Sequence, residues 1–413
     1  MIKGNIMKLN KNNEVVFEIS EKIVPGFSKT KEKQYVSIIG LTKENKIAFV
    51  KIQEKNRSWE LPGGAVLKEE NIIDAANREF FEETGMKLID SMHVITIKNV
   101  YENTNVVHSC VFIVVGIIDE TIPQKKIDDS EIIECLLLNE APNECTFGQK
   151  YINKLIDLAV SKFSVEKNYK MWNKAAKSYD EQTIISENDI HYGPLIPGEK
   201  KLQLIPNLMG ADVLDLGCGA GHNLISMKSL GAKTGLGIDF CEEQIKKAKE
   251  KLDQPFEFIV GNILDSTLIK KEKFDFVISV FVISFIKDLD GFFDIIKQNL
   301  KSGGYVIIST DHPNRNLLEC NKASVDTNNN NSRVRYWNIP NDNSIPYIHC
   351  LHTFEEISSA FKNAGLVLDD IIEPQVLPLD KIENAPYISS YYVNRHNEML
   401  ANPYTIIFKA HKP

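Results

Sequence analysis

The sequence predicts two α/β domains in series, a strand-rich N-terminal domain around one central helix and a C-terminal domain with a doubly wound parallel sheet. Three observations carry this. At 413 residues the chain is longer than a single hydrophobic core usually grows. Its hydrophobic periodicity changes near residue 166, from successive strands to a strict strand–helix alternation. Each half also carries its own glycine-bearing motif, and no internal repeat relates the two.

With 43% hydrophobic and 25% charged residues, the chain is placed with soluble globular proteins rather than disordered or fibrous ones. A formal net charge of -8 gives the surface no general reason to collect on a polyanion, so nucleic acid is an unlikely partner. A metal-bridged phosphate escapes that argument, and small phosphorylated molecules stay open as substrates. The seven cysteines are odd in number, scattered and without a C-x-x-C pair, which reads as reduced thiols. Together with an N-terminus that lacks the apolar core of a secretory signal, this gives a cytoplasmic expectation. The longest apolar runs, CVFIVVGII from Cys110 and VISVFVISFI from Val277, fall short of the ~18 residues of a membrane helix. Both are expected to be buried strands, and no membrane partner is expected.

From Tyr35 to Leu138 the runs YVSIIGL, KIAFVKI, HVITIKNVY, VVHSCVFIVVGII and IIECLLL read as strands, interrupted by a helix near Ile72 to Thr84. A second helix, roughly Gln149 to Lys162, closes the first domain, and the polar SVEKNYK after Phe163 is the expected linker. The domains are accordingly placed at 1–165 and 166–413. Beyond the linker, VLDL, TGLGID, FEFIV, FDFVIS and YVIIST read as strands alternating with the helices NLISMKSL, EEQIKKAKEKL and GFFDIIKQNL. The low-complexity DTNNNNS from Asp326 is expected to be a loop.

In the helix near residue 72, Glu79, Glu82 and Glu83 stand at i, i+3 and i+4, so three carboxylates project from one face. Like charges that close repel unless a cation sits among them, and oxygen-only donors suit Mg²⁺ or Mn²⁺. Ile73, Ala76 and Phe80 give the helix an apolar face, and Arg78 lies one turn before Glu82 and is expected to orient it. An isolated acidic tract is usually a solvated face. Here the tract sits in a fixed frame: Gly64, five residues, Glu70, seven residues, Arg78-Glu79, Phe80, any residue, Glu82-Glu83, any residue, Gly85, Met86.

That frame, with WELPGG before it, resembles the signature of the Nudix hydrolases over about residues 30 to 162. The resemblance implies an α/β/α sandwich on a mixed sheet, and metal ligation by Glu79, Glu82 and Glu83 with help from the Gly63 carbonyl. Glu82 and Glu83 become catalytic, while Glu70 and Arg78 support them. The family hydrolyses a nucleoside diphosphate linked to another group, with a metal-activated water attacking phosphorus. A downstream acid often serves as base, for which Asp129, Glu131 and Glu134 are candidates.

VLDLGCGAGHN from Val213 is a strand that runs into a glycine turn and a helix. The spacing is G-x-G-x-G, with Asp215 ahead of it, rather than the G-x-G-x-x-G that offers a helix N-terminus to pyrophosphate. The next strand ends in Asp239, where a carboxylate can accept both hydroxyls of a ribose. The segments GLGIDFCEEQIKKAKEKL, IVGNILD and FDFVIS through YVIIST follow in the order and spacing of class I methyltransferases, which residues from about 168 onward resemble. The resemblance implies a Rossmann-like sheet binding S-adenosylmethionine. Asp215, Gly217, Gly219 and Gly221 would surround the amino-acid moiety, Asp239 the ribose, Asn262 and Ile263 the adenine, with Ser279 near the transfer site. Asn262 stands where an Asp is common, and its amide oxygen can still accept from the adenine amine. No NPPY or DPPY run follows the fourth strand, which makes methylation of DNA base amines a poor expectation.

Methyl transfer is a direct displacement, and a base is needed only for hydroxyl or protonated acceptors. Candidates for acceptor contact are His191 and Tyr192 in ENDIHYGP, His312 in TDHP, and Trp337, His349 and His352 further on, with His191 and His312 preferred as catalytic groups. Aromatic and imidazole side chains there suit a small planar acceptor. The sequence as a whole therefore points to a bifunctional enzyme with two small-molecule substrates. Two other readings stay open, in which the first domain is a non-catalytic sensor, or the second modifies RNA.

Overall fold

The protein is described by a computed structural model over residues 8–9, 14–19, 33–43, 45–54, 57–101, 107–127, 129–269, 273–314, 349–350 and 352–413, with only the backbone described for 8–9, 14–19, 101 and 108. It divides into two compact units, Met1–Phe163 and Ser164–Pro413. The DTNNNNS stretch and Trp337 lie outside the described residues.

The first unit is a nine-stranded mixed sheet. Its path runs β1 (Lys8–Leu9), β2 (Glu14–Ile19), β7 (Leu88–Tyr101), β8 (Val107–Ile118), β3 (Lys33–Leu41), β4 (Ile47–Ile52) and β5 (Trp59–Glu60), with β6 (Gly63–Ala65) on β3 and β9 (Ile132–Leu138) on β4. The pairs β2–β7 and β3–β8 are parallel and the others antiparallel. Helix α1 (Ile72–Thr84) starts where the Asn71 side chain accepts from the N–H groups of Ile73 and Asp74. It ends at Gly85, whose left-handed backbone returns an N–H to Phe81. Its buried stripe, Ala75, Ala76 and Phe80, packs with Val36, Ile38, Ala48 and Val114 of the sheet. Ile73, expected on that face, lies at the edge of the cluster.

The expected linker is helical instead. Helix α2 runs without a break over Gln149–Gln182, and SVEKNYK lies inside it. Nothing in that stretch is glycine or proline, so neither backbone freedom nor a missing donor stops the helix where side-chain polarity suggests a loop.

The second unit is a seven-stranded sheet, in the order β13 (Phe256–Val260), β12 (Thr234–Asp239), β11 (Asp212–Leu216), β14 (Phe274–Val280), β15 (Leu300–Asp311), β18 (Thr405–His411) and β16 (Val367–Ile372). The first five are parallel, and β18 runs against both neighbours. The fully parallel expectation is thereby corrected: the chain's last strand inserts beside β15, an order that local sequence does not encode. Alternation along each strand feeds two cores, one per face. Leu214 and Ile308 join Phe293 and Ile296 of α6 (Leu289–Asn299) and Phe361 of α7 (Phe354–Asn363). Val213 and Ile307 join Leu224 of α4 (His222–Ser229) and Ala248 of α5 (Glu242–Lys251).

The run VISVFVISFI is a strand only in its first half. β14 stops at Val280, Phe281 takes a left-handed φ of 57°, and a 3₁₀ turn spans Ile283–Phe285. Between β11 and β14 the strand order reverses, which opens a crevice at the carboxyl ends of the strands. No helix of the described residues is long and apolar enough to cross a membrane.

Phe80 is fully buried, and its ring fills the space that a Cβ on Gly40 would take. Phe80→Ala is expected to destabilise the first unit by about 3–5 kcal/mol, read as a shift of its transition in urea.

Candidate active sites

In the first unit, the turn after β5 brings Gly63 and Gly64 against α1. A Cβ on Gly64 would lie 2.4 Å from the carboxyl carbon of Glu79, so a side chain there would displace that carboxylate. Arg78 is the hub of the helix face. Its Nε and Nη2 donate to the two oxygens of Glu70 at 2.9 Å each, and Nη1 donates to Glu79 at 2.8 Å and to Glu82 at 3.2 Å. Orientation of Glu82 by Arg78 is thus the longest of these contacts, and the bidentate partner is Glu70. Glu83 turns away from Arg78 and accepts the Gly63 N–H at 2.8 Å.

Glu83 is buried, 7% exposed, and its carboxyl is pushed up to about 8, first by burial and then by Glu79, Asp129 and Glu60. Burial also raises Glu79, against the pull of Arg78. Of the three candidate bases, Asp129 is the one whose charge reaches Glu83, while the Cys135 thiol is raised first by burial and then by Glu83 and Glu134. Among the described residues, no three His, Cys, Asp or Glu side chains stand in a metal-holding arrangement. The glutamates do not converge as the helical spacing suggests, because Arg78 holds Glu79 and Glu82 while Gly63 draws Glu83 inward. The donor set nonetheless fits a hard divalent cation. One guanidinium is shared by three carboxylates, and a fourth, Glu83, is buried with none.

In the second unit a cavity of about 310 Å³ opens over the crevice. Asp215, Gly217, Gly219, Asp239, Asn262 and Ile263 all line it. Gly217 has a φ of 79°, and a Cβ there would lie 2.2 Å from Val282, which the turn after β14 brings down on the loop. Asp239 accepts from the N–H of Gly219 at 3.0 Å and of Cys241 at 2.8 Å. Asp215 is 2% exposed, and burial with Asp239 nearby pushes its carboxyl up to about 8. Burial holds Asp239 above the ordinary carboxylate range as well, although its backbone donors oppose this.

Two expected members stand outside the wall. Gly221 caps α4 against Phe258 and Ala248, and Ser279 is fully buried with its hydroxyl donating to the Leu216 carbonyl at 2.7 Å. Of the acceptor candidates, His191 and His349 line the cavity. His191 packs edge-on to Tyr387 and has an enclosed Nδ1 without a partner, and burial drives its imidazole down to about 3. His312 lies elsewhere, its Nε2 2.8 Å from Glu373 and its Nδ1 accepting from the Asn314 N–H. Asp311, the residue before it, lines the cavity instead, because successive residues at the end of β15 face opposite ways. His352 donates to the carbonyls of Ile283 and Ile286, and Tyr192 is a core residue bonded to Glu199.

Sequence reading missed most of the aromatic wall. Trp172 and Tyr179 come from the part of α2 just beyond the expected linker, and their seven-residue spacing, two helical turns, is the signal for a shared face. Tyr387, Tyr391 and Tyr392 come from YISSYY near the C-terminus. A small ribbon, β10 (Thr183–Ile185) paired with β17 (Tyr387–Ser389), joins the two segments, and the hydroxyls of Tyr179 and Tyr387 meet at 3.2 Å.

A profile of the NUDIX domain matches residues 31–155, and a profile described as a methyltransferase domain matches residues 191–371. An uncharacterized protein of Haemophilus influenzae is 29% identical over 157 residues, 36% of this chain and 61% of that relative. The mitochondrial ubiquinone biosynthesis O-methyltransferase of Homo sapiens is 34% identical over 152 residues, 33% of this chain and 40% of that one. The chain therefore spans less than two thirds of either relative. A crystal structure of a putative S-adenosylmethionine-dependent methyltransferase from Listeria monocytogenes is 22% identical with a TM-score of 0.40, covering 51% of this chain and 95% of that one. The NUDIX match and the methyltransferase match fall on separate stretches of one polypeptide.

Two outcomes follow from this geometry. Arg78→Ala is expected to lower the thermal stability of the first unit by about 1–3 kcal/mol, and Arg78→Lys to restore little of it, since an ammonium cannot reproduce the fork to Glu70. The second concerns Asp215, whose folded-state carboxyl lies above its unfolded value. Its contribution is then complete at low pH and lost as pH rises towards about 8. Without ligand, the melting temperature of the second unit should fall between about pH 5 and pH 9, and Asp215→Asn should flatten that slope.

Proposed function

We propose that the chain is a bifunctional enzyme, in which residues 1–165 hydrolyse a nucleoside diphosphate derivative with Mg²⁺ or Mn²⁺, and residues 166–413 methylate a small molecule with S-adenosylmethionine. One observation carries the reading: each unit encloses carboxylates whose charge its own cations do not match, Glu79 and Glu83 in one and Asp215 and Asp239 in the other. An isolated buried carboxylate is costly, and such groups persist where a cationic ligand meets them.

In the first unit, Glu79, Glu82, Glu83 and the Gly63 carbonyl would hold the cation, and Asp129, whose charge reaches Glu83, would take a proton. A divalent cation there neutralises phosphate oxygens and lowers the pKa of a bound water. Arg78 and Glu70 keep the helix face in position. In the second unit, Asp239 faces the ribose hydroxyls, Asn262 and Ile263 border the adenine, and Asp215 with Gly217 and Gly219 encloses the amino-acid end. The cavity walls exclude water and align the acceptor, which is most of what a direct displacement requires.

The grip of Arg78 on Glu79 and Glu82 favours one further reading, in which the first unit binds its nucleotide without cleaving it. Chromatography of the products formed from ADP-ribose and dinucleoside polyphosphates with Mg²⁺ separates the two. Hydrolysis predicts monophosphate products that fall on the order of 100-fold or more in Glu82→Gln. Absence of cleavage across the set, with retained nucleotide binding, would leave the sensor reading standing. For the second unit, Asp239→Asn is expected to weaken adenosylhomocysteine binding by roughly tenfold or more in calorimetry, a loss of one charge-assisted contact.

A further inference from the structure

The methyl donor proposed for the second unit is a zwitterion at its amino-acid end, so it brings a carboxylate as well as an ammonium into the cavity. Asp215 and Asp239 can meet the ammonium and the ribose, and they repel the carboxylate. That anion needs N–H or O–H donors near the glycine turn, or its desolvation goes uncompensated. His191 is placed there by its backbone. Its N–H donates to the side-chain oxygen of Asn223 at 3.1 Å, and the Asn223 amide donates back to the His191 carbonyl at 3.4 Å. Asn223 is the second residue of α4, just past Gly221 of the glycine turn, so this pair of bonds ties residue 191 to the loop that encloses the amino-acid end.

Its surroundings fix the side chain as well. Ile190 and Tyr192 on either side are fully buried, and the Ser309 hydroxyl of β15 donates to the Tyr192 carbonyl. The His191 ring packs edge-on against Tyr387, with centroids 5.3 Å apart and planes at 82°, and the Tyr387 hydroxyl accepts from Tyr179 at 3.2 Å. The imidazole is therefore oriented before a ligand arrives. Its Nδ1 is enclosed without a partner while the ring lines the cavity, which leaves Nε2 as the nitrogen that meets a ligand. Burial, with His222 nearby, drives the imidazole down to about 3, so near neutral pH the ring is uncharged and carries one N–H. An enclosed N–H without an acceptor is the costlier orphan, and this places the proton on Nε2. Such reluctance to gain a second proton suits a hydrogen-bond donor better than a base.

We infer that His191 binds the carboxylate at the amino-acid end of the methyl donor through its Nε2–H, while Asp215 serves the ammonium of the same moiety. The inference rests on the methyltransferase reading above and adds to it a residue that grips the donor. His191 takes no proton in the transfer. It is a positioning residue, which holds the arm that carries the sulfonium and so fixes the line along which the methyl group leaves. Asn223 and Tyr387 act one step further out, the first on the backbone of His191 and the second on its ring.

The test uses the full chain in calorimetry with two ligands, adenosylhomocysteine and its decarboxylated form, which keeps the ammonium and lacks the anion. The wild-type chain is expected to bind the first at least about tenfold tighter, as a charge-assisted hydrogen bond allows. His191→Ala is expected to cost adenosylhomocysteine about tenfold in affinity and to leave the decarboxylated ligand unchanged. His191→Phe keeps a ring against Tyr387 and lacks the donor, so it is expected to show the same selective loss and decides where the alanine variant does not fold. His191→Gln, whose amide can donate, is expected to recover part of the preference. Equal affinities of the wild-type chain for the two ligands would overturn the inference without any variant. A variant that weakens both ligands alike would also overturn it, since a merely structural residue does not tell them apart, as would one that weakens neither. Failure of the wild-type chain to bind either ligand would show that the methyltransferase reading is at fault, and the inference would fall with it.

Discussion

Both sites rest on one arrangement: a carboxylate drawn out of water onto the backbone N–H of a glycine. Glu83 accepts from Gly63 in the first unit, and Asp239 from Gly219 in the second. In each case the donors only partly offset the cost of burial, and the carboxyl stays above its ordinary range. At Gly63 a side chain would collide with the Val36 carbonyl where the backbone passes, and Gly219 takes a left-handed φ of 50°. The folded scaffold therefore holds its costliest carboxylates at these points, where a cation or a hydrogen-bond donor would relieve the cost.

The scaffolds that impose this cost differ. In the first unit a single helix is fixed by Phe80 in a sheet core, and its charged face follows from that anchoring by helical geometry. Arg78 then decides how the face is distributed, binding Glu70 through two bonds and leaving Glu83 to the strand side. In the second unit, two cores on opposite faces of one sheet hold the strands so that their carboxyl ends meet at the order reversal. The strand ends there carry the carboxylates, and the ribbon of β10 and β17 brings in the tyrosines from far along the chain.

Much of this was legible in the residues. Helix α1 has the span its periodicity suggests, and the strand β9 coincides with IIECLLL. The glycine turn and the acids at the ends of β11 and β12 lie together at the cavity. Where reading failed, a tertiary choice had overridden a local cue. SVEKNYK is polar, yet it stays helical and delivers Trp172 and Tyr179 from the residues beyond it. The apolar run from Val277 turns at Phe281 and points Phe285 at the cavity. Asp311 and His312 are neighbours in sequence, and the pleat gives the site to the first of them.

Local chemistry was thus settled by the sequence itself: which helix carries the glutamates, which turn must be glycine, which strand ends are acidic. These depend on residues a few positions apart, whose relations the backbone period dictates. Tertiary structure alone decided which carboxylates lose their solvent, how Arg78 shares its charge, where the last strand inserts, and which aromatic rings line the cavity. Those outcomes join residues as much as 208 positions apart, as with Tyr179 and Tyr387, and no local pattern records such a meeting.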